Sequence, residues 1–419
     1  MFHENITTCE VCDLVNEIPP LHDGERLKCR RCSHILVSIY PHASLRILGI
    51  GCSALLMLFL SVCFPFLSFS SNGAVYNMTL LDTIIVLLGH EYHLLGSLLC
   101  LVLLVFPLTY LLSVLYLAWS FLNKQRRLFL QRLFARWFVV IEPWLMVDVF
   151  LIGVLIALVK MHSLVDIELG LSFWAFCGYV LLLLKTVTLV DRRWLWHQVA
   201  GLAPHHAAYI KSAKDQGLVG CHFCGATLKE SAHHCVRCGH AVYSRRPASL
   251  AATIALLIAA SIMYVPAMFF PIMETTFLGS SEPSTIMEGV LLLWSLGSYP
   301  IAFIILIASV VIPLAKIFAL SWLCWQCYFP AKKSIQQKIM LYKLTELVGR
   351  WSMIDIFVVA VLVSLVQMGN LMSILPGSAV LSFTAVIVLT MWAAMIFDPR
   401  LLWDNDEAFN MWSAKETKE

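Results

Sequence analysis

The phrase Trp144-x-Met146-x-Asp148-x-Phe150 leads into a long apolar run, and it returns as Trp351-x-Met353-x-Asp355-x-Phe357 ahead of another. The offset is 207 residues, and it also pairs Asp191 with Asp398, Arg193 with Arg400 and Trp196 with Trp403. At an offset of 206, Cys29 and Cys32 meet Cys235 and Cys238, Pro65 meets Pro271, and Pro107 meets Pro313. One unit is written twice in tandem, so whatever fold suits one half must suit the other.

The repeated unit is too apolar for water. Of 419 residues 60% are hydrophobic and 13% charged, which excludes an ordinary soluble domain. Apolar runs long enough to cross a bilayer lie near 45–69, 93–122, 143–160, 171–190, 249–272, 297–325, 352–368 and 378–397. The expected fold is an all-α polytopic membrane protein with eight transmembrane helices in two tandem four-helix units of the same orientation. A small four-cysteine module resembling a zinc ribbon precedes each unit. The boundaries fall at 1–40 (first module), 41–196 (first unit), 197–247 (linker and second module), 248–403 (second unit) and 404–419 (charged tail). Basic residues interleaved with aromatics at 124–137, and again at 332–342, suit helices lying on the membrane face. The first 40 residues carry no apolar run, so no cleavable signal peptide is expected. Of the 29 Lys and Arg, Lys160, Lys185 and Lys316 lie within spans, Arg46 stands at the mouth of the first, and none lies in the loops 70–91, 161–170, 273–296 and 369–377. The positive-inside rule then places both termini and both cysteine modules in the cytoplasm.

Two groups of residues carry chemistry. Cys9-x2-Cys12 with Cys29-x2-Cys32, and Cys221-x2-Cys224 with Cys235-x2-Cys238, each have the spacing of a closed four-thiolate metal site. Zinc is the expected occupant, one structural ion per module, with iron the alternative. The other group is ionisable side chains within spans: Asp148, Lys160, Lys316 and Asp355. Each costs about 2.5–3.5 kcal/mol near a bilayer centre, so a polar transport pocket is the reading to set against a structural salt bridge. Lys316 matches Tyr110 in the first unit, so the halves are not chemically equivalent. No phosphate loop, GxGxxG turn or HExxH helix occurs, and no enzyme is expected. The basic stretches at the membrane edge suit anionic lipid rather than nucleic acid.

The paired cysteine segments, the two W-x-M-x-D-x-F phrases and the ending Asp398-Pro399-Arg400-Leu401-Leu402-Trp403-Asp404 resemble the paraquat-inducible protein A family, to which the LetA proteins are related. The resemblance covers nearly the whole chain. It implies an inner-membrane subunit of a Gram-negative intermembrane lipid transport system. Such a subunit would load lipid into, or receive it from, a periplasmic tunnel built of MCE domains, with a proton-handling pocket around Asp148, Lys160, Lys316 and Asp355. Two rival readings stand beside it: a stand-alone secondary transporter of a small molecule, and a redox- or metal-sensing membrane protein.

Overall fold

The computed structural model describes residues 6–19, 21–71, 74–89, 93–123, 128–161, 166–201, 211–277, 280–295, 297, 299–329, 335–366 and 372–404. The first module is two hairpins, β1 (Ile6–Thr8) with β2 (Val15–Glu17) and β3 (Arg26–Lys28) with β4 (Ile35–Ser38). The first unit follows as α1 (Ala43–Cys63), β5 (Leu67–Ser71), β6 (Ala74–Met78), α2 (Leu80–Gly89), α3 (His93–Cys100), α4 (Phe106–Leu122), α5 (Leu128–Ile141), α6 (Val147–Met161), β7 (Asp166–Leu169), α7 (Leu171–Leu189) and α8 (Arg192–Ala200). The second module is built on β8 (Leu218–Gly220) and β9 (Thr227–Lys229). The second unit then repeats the order: α9 (Ser249–Phe269), β10 (Met273–Phe277), β11 (Ser280–Ser284), α10 (Ile286–Ser295), α11 (Tyr299–Leu306), α12 (Ile312–Tyr328), α13 (Ile335–Trp351), α14 (Ile354–Val366), β12 (Met372–Pro376) and α15 (Ala379–Ile396).

Among the described residues, seven helical stretches are long and apolar enough to cross a membrane: 43–63, 95–122, 128–158, 171–189, 249–269, 302–328 and 379–396. The expected eighth span corresponds to α14, whose 13 described residues are too few, and the chain beyond Val366 re-enters the description at β12. The third stretch differs from expectation. The amphipathic α5 ends in a 3₁₀ turn, Glu142–Trp144, and only the non-helical pair Leu145–Met146 separates it from α6, so the interfacial segment and the span follow one another with a short break. The tail beyond residue 404 and the basic residues 124–127 lie outside the described residues.

The halves share their irregularities. Pro107 and Pro313 each follow a five-residue π-helical stretch, Leu101–Val105 and Ile307–Val311. A proline ring collides with the carbonyl four residues back, and a widened turn relieves the clash without ending the helix. At the end remote from the modules each unit carries a three-stranded antiparallel sheet, β6-β5-β7 and β11-β10-β12, where loops were expected. The purely helical reading of the units is corrected there. Each sheet is locked to its helices by a glycine: a Cβ on Gly170 would stand 2.1 Å from the Pro65 carbonyl oxygen, and one on Gly377 2.1 Å from that of Pro271.

Within each unit the first and last spans pair, α1 with α7 and α9 with α15. Between units α6 packs on α14. Phe150 and Phe357, repeat counterparts, meet edge to face with ring centroids 5.5 Å apart, and a Cβ on Gly153 would lie 3.0 Å from that of Phe357. A residue that touches its own counterpart lies on the axis relating the two copies. The repeated phrase that opens α6 and α14 therefore supplies the seam between the halves.

Candidate metal centres and intramembrane polar residues

All four CxxC segments fold alike. In each, the first cysteine N–H donates to the carbonyl five residues on, and the N–H four residues on donates back: Cys9 with Leu14 and Asp13, Cys29 with His34 and Ser33, Cys221 with Ala226 and Gly225, Cys235 with His240 and Gly239. The fourth position after the first cysteine is left-handed every time, with φ of 60° at Asp13, 54° at Ser33, 72° at Gly225 and 71° at Gly239. That turn aims both thiols of a segment inward. Within each quartet all Sγ atoms lie within 4.8 Å of one another. Closest pairs are 3.5 Å apart: Cys9–Cys32, Cys12–Cys29, Cys221–Cys238 and Cys224–Cys235. Four sulfurs about 2.3 Å from a zinc ion would form a tetrahedron with edges of about 3.8 Å, so each quartet fits a metal ion of that size. Hydrogen bonds from Cys12, Cys32 and Cys9 hold the Cys29 thiol well below its ordinary range, and those from Cys221, Cys224 and Cys238 do the same for Cys235.

The modules dock crosswise. Arg136 on α5 of the first unit donates to the carbonyl of Cys238 in the second module. Its counterpart Lys343 on α13 of the second unit donates to the carbonyl of Cys32 in the first module at 3.3 Å. Trp196 packs on Phe223 with centroids 6.2 Å apart, while Trp403 lies under the Arg31 guanidinium at 3.9 Å. The expectation of a module for each following unit is thereby refined: each module leads into one unit and also packs on the other.

A buried ionic chain ties this arrangement together. Arg400 donates from Nε and Nη2 to Asp398 at 2.9 and 2.8 Å and stands 3.7 Å from Asp13. It also contacts His222 beside the second metal site. Arg245 bridges Asp13 at 3.0 Å and Asp404 at 2.6 Å. Burial pushes the Asp398 carboxyl up, but the Arg400 hydrogen bonds and charge prevail and hold it at about 2. The counterparts in the first unit work differently. Asp191 caps α8 by accepting from Arg193 N and Trp194 N, also takes the Ser38 N–H, and Arg193 reaches the Thr8 carbonyl at 2.8 Å. Sequence reasoning paired these residues as landmarks but missed their work, although their recurrence at one offset was the available signal.

The four intramembrane candidates fare unequally. Lys316 is 2% exposed, its Nζ has no hydrogen-bond partner among the described residues, and its Cε lies 3.9 Å from where a Cβ would stand on Gly349 of α13. Ser352, three residues further along, is fully buried and its Oγ is equally without a partner. Asp148 is the second residue of α6, where a carboxylate complements the unsatisfied N–H groups of a helix start. It lines a cavity of about 60 Å³ with Glu142 and with Val180, Leu183 and Val187 of α7, inside its own unit. No hydrogen bond or ion pair among the described residues joins Asp148 to Lys316. Asp355 holds the second position of α14, matching Asp148, but its side chain and that of Lys160 lie outside the described residues.

The comparisons agree with this two-fold layout. The family model of paraquat-inducible protein A matches twice, over residues 45–200 and 250–407. The intermembrane transport protein PqiA of Escherichia coli K12 is 39% identical over 94% of this chain and 95% of its own length. A probable intermembrane transport protein of Haemophilus influenzae is 30% identical over 95% of both chains. The lipophilic envelope-spanning tunnel protein A of Escherichia coli K12 is 26% identical over 96% of this chain and 92% of its own. No solved structure matches. With both halves matched and the likeness running end to end, the chain belongs to the paraquat-inducible protein A family.

Proposed function

We propose that this protein is the inner-membrane subunit of an intermembrane lipid transport system, passing lipid to or from a periplasmic tunnel of MCE domains. The observation that carries the reading is the end-to-end likeness to relatives named for intermembrane transport, PqiA of Escherichia coli among them. The duplicated helical body would sit in the cytoplasmic membrane with modules and termini inside, and the three-stranded sheets would face the tunnel. Zinc would fill both quartets as a structural ion, because four protein thiolates leave no position open for a substrate.

Lys316 is the residue on which transport would turn. A buried ammonium without a partner among the described residues is costly in a membrane and marks a pathway more readily than a scaffold. With Asp355 at the start of α14, it would form a polar site able to hold a proton or a headgroup. Asp148 and Lys160 would serve the corresponding helix in the first unit. Crosslinking in native membranes, followed by identification of captured proteins and lipids, tests the reading. An MCE-domain protein and phospholipid are the expected captures. A chain isolated alone that moves a small solute across liposomes would instead establish the stand-alone transporter.

A further inference from the structure

The two units are packed differently where their first and second spans meet. In the first unit Leu115 of α4 lies directly on Gly51 of α1, its Cδ2 2.9 Å from where a Cβ would stand. The counterparts 206 residues on are Leu257 of α9 and Ser321 of α12, so the large and the small partner have changed sides. A glycine lets two helices approach, whereas Leu257 holds α9 off α12 and Ser321 is too short to reach across. The gap is a groove of about 640 Å³ along the module end of both helices, with Ile258, Ile262 and Val265 on one wall and Cys324 and Trp325 on the other.

Both helices belong to stretches long and apolar enough to cross a membrane, so the medium along this groove is hydrocarbon. No charged side chain is among the described residues that line it, and the Ser261 hydroxyl is satisfied within its own helix, donating to the Leu257 carbonyl at 2.8 Å. From Ile254 to Val265 the groove rises about 16 Å, roughly one leaflet of a hydrocarbon core about 30 Å thick. Exposed Trp325, Tyr328 and Phe329 flank its end nearest the modules, and an indole and a phenol suit the boundary between acyl chain and headgroup. We propose that this groove binds one acyl chain of a membrane lipid, laid lengthwise between α9 and α12. The chain supplies the dispersion contacts that Leu115 supplies in the first unit and that the apolar walls would otherwise forfeit. The site is separate from Lys316, which is buried on the face of α12 beside Gly349 of α13. It requires only that α9 and α12 span a membrane, and it stands apart from the transport reading.

The test uses the full chain in lipid nanodiscs that contain phospholipids with a photoactivatable diazirine midway along one acyl chain, the crosslinks being mapped by peptide mass spectrometry. The groove walls should label well above Leu181 of α7, which at 68% exposed is as open to lipid but lines no groove among the described residues. Ser261→Leu combined with Ser321→Leu installs the residues that the first unit carries at these positions, Leu55 and Leu115. It should cut groove labelling about tenfold, as two fewer buried methylenes of chain would, with an unchanged unfolding midpoint as the check on folding. In the opposite direction, Leu115→Ser should open the first unit's junction and raise labelling beside Gly51, a gain that no folding defect mimics. Phosphatidylethanolamine and phosphatidylglycerol probes should label alike, because the chain and not the headgroup is held. Labelling no stronger than at Leu181, or unchanged in the filled variant, overturns the proposal. A strong preference for one headgroup overturns the acyl-chain assignment. Benzoylphenylalanine in place of Trp325 that captures another peptide of this chain, or a second copy, gives the groove to protein and overturns it as well. No transport is assayed, so this site and the transport reading can each fail while the other stands.

Discussion

Asp398 and Asp191 occupy the same place in the two repeats, yet replacing each by asparagine should have very different consequences. Asp398 is 1% exposed and accepts from Arg400 Nε at 2.9 Å, Arg400 Nη2 at 2.8 Å, Arg400 N at 3.1 Å and Arg246 N at 3.2 Å. Its carboxyl is lowered from 3.8 to about 2, and at 1.36 kcal/mol per unit that shift contributes about 2 kcal/mol at neutral pH. Asparagine forfeits this and leaves Arg400 buried with Asp13, 3.7 Å away, as its remaining carboxylate. Removing one partner of a buried pair costs about 3–5 kcal/mol, and the surviving Asp13 contact argues for the lower end, about 3 kcal/mol. Asp191 instead caps α8, and asparagine caps a helix about as well as aspartate, so Asp191→Asn should cost only a few tenths of a kcal/mol. The pH dependence has a definite sign. A depressed carboxyl stabilises above its unfolded pKa near 4 and loses that contribution as pH falls through about 2, so the wild-type chain should weaken between pH 4 and 2 by about 2 kcal/mol more than Asp398→Asn does. Denaturant unfolding in detergent across that range measures both. Equal costs for the two substitutions, or a steeper acid loss in Asp398→Asn, would refute the reasoning.

Metal analysis should find two zinc ions per chain, and Cys224→Ser should lose one while keeping the other; finding none with eight reactive thiols would favour the redox reading. Gly225→Ala should destabilise by about 1–2 kcal/mol, because φ there is +72° and a Cβ would meet Arg193 at 2.9 Å, whereas Gly49→Ala, with open space, should be neutral or better by thermal scanning. A cysteine placed at Glu168 should react with an impermeant thiol reagent in spheroplasts and one at Gln337 should not; the reverse pattern would invert the orientation.

Much of the architecture was legible because bilayer and metal impose narrow rules. Apolar runs had to be helices, CxxC pairs at those spacings had to converge, and a duplication at one offset had to yield two like halves. What was hidden depended on contacts between residues far apart in sequence. Nothing local says that Lys343 serves Cys32, 311 residues away, and so this crosswise contact was invisible. The left-handed turns were half visible: Gly225 and Gly239 announce them, Asp13 and Ser33 do not. The sheets escaped because their strands run only four or five residues among loop-like serines and threonines. The turn and break before α6, which put Asp148 at a helix start beside α7, were equally unannounced.

The contrast between Lys316 and Tyr110 allows the transport reading to be separated from a structural one. Both residues are buried between the second span and the following helix, and both end in a polar atom without a partner among the described residues. The phenol stacks on Phe138 with centroids 5.2 Å apart and loses one hydrogen bond; the ammonium loses its hydration. An unpaired charge at membrane depth costs about 2.5–3.5 kcal/mol, so a chain selected for stability alone would hold an apolar side chain at 316. Lys316→Met should therefore raise the unfolding midpoint or leave it unchanged, while abolishing lipid movement. That is the pattern of a site that trades stability for activity. Tyr110→Phe removes one unsatisfied hydroxyl and should leave both stability and transport near wild type. If Lys316→Met instead lowers abundance while Lys316→Arg restores it, the ammonium has a partner whose loss unfolds the bundle. Position 316 would then be a register lock, and the polar pathway would have to be sought elsewhere in the second unit.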